Sequence, residues 1–133
     1  MKNIIKNNTK EVLSGLWTIL IINMIFNDIF TIMVELDKWK RPDFFADAKF
    51  LMLIAAFVTN IPIMMIFLSR FLSYKVNRWL NICVGIFTIV YIWGGMMSYP
   101  HYIVVAAIQT IVAFLIIGIA WKWKNSGALN DVA

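Results

Sequence analysis

The sequence predicts an all-α protein, an integral membrane four-helix bundle forming one domain over residues 1–133. Three observations carry that expectation. Only 14% of the residues are charged and 62% are hydrophobic, against about 25% charged in an ordinary soluble domain. The apolar residues gather into four runs of roughly 19–24 residues, and about 20 suffice to cross a ~30 Å hydrocarbon core. The charges collect between and outside those runs, and the runs lack the period-two alternation of a transmembrane barrel.

Residues 1–11 are polar and basic and are expected to fray or to lie on lipid headgroups. The first span then runs over 13–36. A charged connector, 37–49, follows, in which Pro42 suits the first turn of the next helix. The second span, 50–68, contains Thr59, Asn60 and Pro62. Pro62 has no N–H for the carbonyl of Val58, so a kink and a free oxygen are expected there. A short basic linker over 69–78 leads to the third span, 79–97. Residues 98–101 read as a tight turn, and the fourth span covers 102–121. The polar tail after Lys124 is expected to be mobile.

Composition also limits function. The formal charge of +5 comes from basic residues at the ends of apolar runs, where the membrane reading places them. No basic stripe interleaved with aromatics points to nucleic acid. Cys83 is the only cysteine, which excludes an intrachain disulfide and a cysteine metal cluster, and it reads as a buried thiol acting as a small hydrophobe. The first run is too long for a signal-peptide core and no Ala-x-Ala follows it. No metal set, phosphate loop or nucleophile–base pair is visible, so no cofactor is implied and no catalytic residue is assigned.

Basic residues set the expected orientation. The side holding the N-terminus, 69–78 and the C-terminus carries Lys2, Lys6, Lys10, Arg70, Lys75, Arg78, Lys122 and Lys124. The other carries Lys38, Lys40, Arg41 and Lys49 beside four acids. Both termini are therefore expected in the cytoplasm of a multi-pass cell-membrane protein.

The spans contain a polar layer. At ~1.5 Å per residue, Asp28 lies roughly 12 Å below the outer boundary and Asn60 about 14–15 Å, while Tyr91 and Gln109 lie about 9–11 Å below it. Asn23, Asn27 and Thr31 follow at i, i+4 and i+8, a stripe that Asp28 flanks. Convergence of these faces would keep the polar groups from going unpaired in lipid. Asn23, Asn27, Asn60, Tyr91, Gln109 and Asp28 thus form the candidate ligand or proton site. The amides taken singly read more simply as interhelical contacts, worth ~0.6 kcal/mol on average. Asp28 admits two readings, functional acid or structural hydrogen-bonding group, because an acid at a span centre costs about 2.5–3.5 kcal/mol. His101 has no partner for a metal site and reads as interfacial. Glu35 and Asp37 read as solvated. Arg70 and Arg78 anchor the cytoplasmic ends and, with Asn77 and Asn81, form the candidate cytoplasmic motif, with an anionic lipid headgroup as a further use.

Three segments together resemble a known group. They are Leu16-Trp17 through Asn23-Met24 to Asp28; Ile61-Pro62, Leu68-Ser69-Arg70 and Asn77-Arg78-Trp79-Leu80-Asn81; and Ala120-Trp121-Lys122-Trp123. Over about residues 13–124 the chain resembles an uncharacterised family of small four-span prokaryotic membrane proteins, within a wider DoxX-like group. The Asn-Arg-Trp-x-Asn stretch is the sharpest motif. The resemblance implies a four-helix bundle with no assigned activity, and it raises the weight of Asp28, Asn77, Arg78 and Asn81. In that family Glu often stands where this chain has Asn60 and Gln109, which weakens a proton-relay role here.

Three functions compete. The first is a ligand-binding or accessory membrane protein, taking an unidentified small molecule or a partner's helix. The second is an oligomeric proton-coupled transporter using Asp28, with Ala106, Ala113 and Gly118 or Gly94-Gly95 as homodimer surfaces. An enzyme acting on a lipid or quinone ranks last.

Overall fold

The computed structural model describes residues 8–40, 42–95 and 97–124, and no strand occurs among them. Lys2, Lys6, Arg41 and the tail beyond Lys124 lie outside the described residues. Helix α1 spans Thr9–Val34, and the single-turn α2 spans Leu36–Trp39. Helix α3 spans Pro42–Phe71, α4 spans Tyr74–Gly94 and α5 spans Pro100–Lys122. Four of the five, α1, α3, α4 and α5, are long and apolar enough to cross a membrane.

Two boundaries differ from expectation. Helix α1 begins at Thr9, so Lys10 and Glu11 are helical rather than frayed, and Glu11 in the first turn complements the positive end of the helix. The expected basic linker over 69–78 shrinks to Leu72 and Ser73. Arg70 and Lys75 lie on exposed faces of helices that continue through the linker, while Ser69 and Asn77 face inward. The proline prediction holds in part. Pro42 opens α3, and α3 runs on through Pro62, whose ring nitrogen cannot donate to the Val58 carbonyl.

Helix α1 packs along α3 and α5, α4 packs along α5, and α3 meets α4 least. The cyclic order is therefore α1–α3–α4–α5, with the α3–α4 seam the loosest. One end of the bundle bears the start of α1, the end of α5 and the 72–73 turn, and is called here the terminal end. The other bears α2 and the 95–99 connection, and is called the loop end. The outer surface is covered by exposed large apolar side chains, among them Ile25, Phe26, Phe57, Phe67 and Val90, as a lipid environment requires.

The buried apolar cluster lies in the terminal half. Leu13, Trp17 and Leu20 of α1 meet Met65 of α3, Val84 of α4, and Val112, Ala113 and Ile116 of α5. Gly85 permits close packing there, since a Cβ at that position would lie 2.7 Å from Ile117 Cγ1. Ala106 and Ala113, expected at a dimer surface, are buried within the bundle. Cys83, expected to be buried, is exposed. The inward stripe of α4 is Asn77, Asn81, Val84, Gly85 and Thr88, and position 83 falls off it.

A buried polar network holds this half together. Trp17 Nε1 donates to Asn81 Oδ1 at 2.7 Å, and Ser69 Oγ donates to the same oxygen at 3.2 Å. Asn81 Nδ2 donates to Asn77 O and Oδ1, and Asn77 Nδ2 donates to Ser69 O at 2.7 Å. Ser14 Oγ donates to Ile66 O and accepts from Arg70 Nε. Helices α1, α3 and α4 are thereby joined through side chains with their hydrogen bonds made, as low dielectric demands.

Asn60 makes the contrast. It is exposed, and its Nδ2 donates to Ala56 O, four residues back on its own helix. Asn81→Leu should lower stability by about 1–3 kcal/mol because it strips the Trp17 indole of its acceptor. Asn60→Leu should leave stability within about 0.5 kcal/mol. Thermal unfolding in a nonionic detergent checks the pair, and equal losses would contradict this assignment.

Candidate functional site

In the loop half the helices enclose a cavity of about 340 Å³ instead of a filled core. Each helix contributes one stripe. Helix α1 supplies Met24, Asn27, Asp28 and Thr31, spaced at i, i+3, i+4 and i+7. Helix α3 supplies Leu51, Ile54, Ala55, Val58 and Thr59 with the same periodicity, as expected of one helical face. Tyr91 and Ile92 of α4 and Tyr102 and Gln109 of α5 complete the wall.

Four of the six residues expected in a polar layer therefore line one space: Asn27, Asp28, Tyr91 and Gln109. Asn23 and Asn60 do not line it. Their amides donate to Ile19 O and Ala56 O, the carbonyls four residues back. The expectation that every intramembrane amide turns inward overlooked this local bond, which Thr18, Thr59, Thr88 and Thr110 also make and which satisfies a polar group without a neighbouring helix. Thr59 and Tyr102 were missed as lining residues. Tyr102 sits seven residues before Gln109 on the same helical face, and that spacing was the available signal.

Two amides in the wall are unusual. Asn27 is 6% exposed and Gln109 3% exposed, yet Asn27 Oδ1 and Gln109 Nε2 are buried with no hydrogen-bond partner among the described residues. One is an acceptor on α1 and the other a donor on α5. An unmade bond on a buried amide costs about 1–3 kcal/mol. Asp28 is exposed on the cavity wall. No described hydrogen bond or ion pair engages it, and no Lys, Arg or His among the described residues lines the space. The described residues hold no cluster suited to a metal ion.

The loop end of the cavity is tied across helices. Glu35 Oε1 accepts from Tyr99 Oη at 2.8 Å and from Lys38 Nζ at 3.0 Å, so Glu35 is not simply solvated. The Tyr99 ring stacks on His101 at 5.6 Å, and His101 Nε2 lies 3.3 Å from Thr31 Oγ1 on the cavity wall. His101 thus joins α5 to α1.

The second group of candidate residues serves the terminal end. Asn77 and Asn81 are fully buried and their bonds are internal, so a lipid headgroup does not reach them, contrary to expectation. Arg78 Nη2 donates to Trp121 O at 2.8 Å, and its guanidinium lies 5.9 Å from the Trp121 ring. Tyr74 Oη donates to Trp123 O at 2.6 Å. Together they cap carbonyls at the end of α5 that have no partner within the helix, at its negative pole. Arg70 remains exposed and bonds Ser14.

The Glu35 tie has a predictable pH dependence. Hydrogen bonds from Lys38 and then Tyr99 hold its carboxyl below the usual carboxylate range. A lowered folded-state value contributes stability that is complete above the ordinary glutamate range, about 4.3, and is lost as pH falls through the folded value. The stability gap between the parent and Tyr99→Phe should therefore be full at neutral pH and close in acid. Unfolding midpoints of both proteins across that range check it.

The profile of a family of unknown function, DUF6326, matches residues 2–129. No curated protein and no solved structure matches the chain. The family match takes in all five helices, the buried network and the cavity, and the chain belongs to the DUF6326 family of unknown function.

Proposed function

We propose that this multi-pass membrane protein binds a small molecule in the cavity between α1, α3, α4 and α5, as a binding or accessory protein rather than an enzyme. The observation that carries the reading is the pair of buried, unpartnered amides at Asn27 and Gln109. They stand in the wall of a space whose volume lies within the range of ligand sites, about 300–1,000 Å³. Packing amides would have found partners on the facing helix; these two belong to residues of the cavity wall. The kinship with DoxX-like proteins enters this reading only as an expectation of fold.

The excess of Lys and Arg at the terminal end supports an orientation with both termini cytoplasmic, and the cavity then lies in the outer half of the membrane. Oligomeric proton-coupled transport through Asp28 is the alternative. Leu13, Trp17, Leu20 and Met65 fill the terminal half, and a site present in one half alone favours binding over passage.

The experiment exploits the cost of unpaired amides. In a binding site, Gln109→Met removes a donor that the protein leaves unmatched, so ligand-free stability should stay level or rise by up to about 1–3 kcal/mol. The same variant should weaken retention of 1-naphthalenemethanol, a neutral probe with one hydroxyl, measured by its fluorescence on the purified protein in nonionic detergent. A clear loss of ligand-free stability would mean that the amide is paired within the bundle and would remove the reading's main support.

A further inference from the structure

We propose that the ligand is a lipophilic ammonium, a protonated amine carried on an apolar body of about two rings, taken up from the bilayer. The inference rests on the binding reading above and adds the class of ligand. Its basis is the chemistry of the wall.

Among the described residues, Asp28 is the one carboxyl in the cavity wall, and no Lys, Arg or His lines it. An anion would find no counter-charge there and a cation would find one. Asn27, the adjacent residue, stands on the same wall and keeps a buried acceptor, Oδ1, without a partner among the described residues. Tyr91 and Tyr102 bring aromatic rings to the same space, and ring faces attract organic cations. A bound cation would also offset the cost of holding an acid at this depth. Gln109 of α5 adds a further polar side chain to the wall.

The rest of the wall sets the body and the route. Leu51, Ile54, Ala55 and Val58 make the α3 side apolar. The volume is roughly twice that of an engineered cavity of about 150 Å³ that holds a benzene. Leu51 is 72% exposed although it lines the cavity, and α3 stands beside α4 across the loosest seam of the bundle. The opening thus faces lipid, and a molecule already dissolved in the bilayer reaches it without crossing water.

Three probes sharing one body test this: 1-naphthylmethylamine, 1-naphthalenemethanol and 1-naphthoate. Each is titrated into the full chain in an uncharged detergent and followed by naphthalene fluorescence, with Ala55→Phe as the filled-cavity control. The amine should bind about tenfold or more tighter than the alcohol, as a charge-assisted contact does over a neutral one, and the carboxylate should not bind. Asp28→Asn should erase the amine's advantage over the alcohol, and Asp28→Glu should keep it. An amine no tighter than the alcohol on the parent protein, or an advantage that survives Asp28→Asn, overturns the ligand class and leaves the site standing. The parent comparison needs no variant to fold. If no probe binds the parent better than Ala55→Phe, the binding reading falls, and the ligand class with it.

Discussion

The hydrogen bond from the Trp17 indole to Asn81 Oδ1 is the contact on which the rest of this structure depends. Both side chains are fully buried, and the oxygen also accepts from Ser69, so one atom ties α1, α3 and α4 together. Lipid offers little hydrophobic force to press helices against one another. Association must come from close packing and directional bonds, and the terminal half has both, in Gly85 against Ile117 and in the Asn77–Asn81 network. With that half fixed, the loop half can stay incompletely packed. The cavity exists because the stabilising contacts are made elsewhere.

Polar groups in the spans fall into three kinds. Thr18, Asn23 and Asn60 bond carbonyls of their own helix and ask nothing of a neighbour. Trp17, Ser69, Asn77 and Asn81 bond across helices and are fully engaged. Asn27 and Gln109 retain an unmade bond in a space large enough for a guest. Residue type does not separate the classes, since asparagine occurs in all three. Position on the helical face separates them.

The all-helical architecture was legible in the sequence because length and apolarity of a run suffice to predict a membrane helix, and the model contains four of them. Depth along each span was legible too, since rise per residue is constant, and it placed Asp28, Asn60, Tyr91 and Gln109 at about one level. Rotation about the helix axis was not legible. That is why Asn60 was grouped with the cavity and Cys83 with the core, and why Asn77 and Asn81 read as a surface motif. Spacing of Asn77 and Asn81 by four residues was compatible with an inward stripe, but only the packing of α1 and α3 against it decides which way the stripe faces. The unmatched ends of the Asn27 and Gln109 amides lay further out of reach, because an absent partner is a property of the assembled bundle.

Helix lengths in the bundle are unequal. Helix α3 has 30 residues and α4 has 21, about 45 Å against 32 Å at 1.5 Å per residue. They are joined by two residues at one end and make the least contact of any neighbouring pair of long helices. A ~30 Å hydrocarbon slab accommodates the longer member by tilt or by protrusion of its first turns. Tilting α3 about the joined end moves the wall carrying Leu51, Ile54 and Ala55 while barely disturbing Met65. Bilayer thickness thereby becomes a mechanical input to the shape of the cavity, transmitted by a single lever arm.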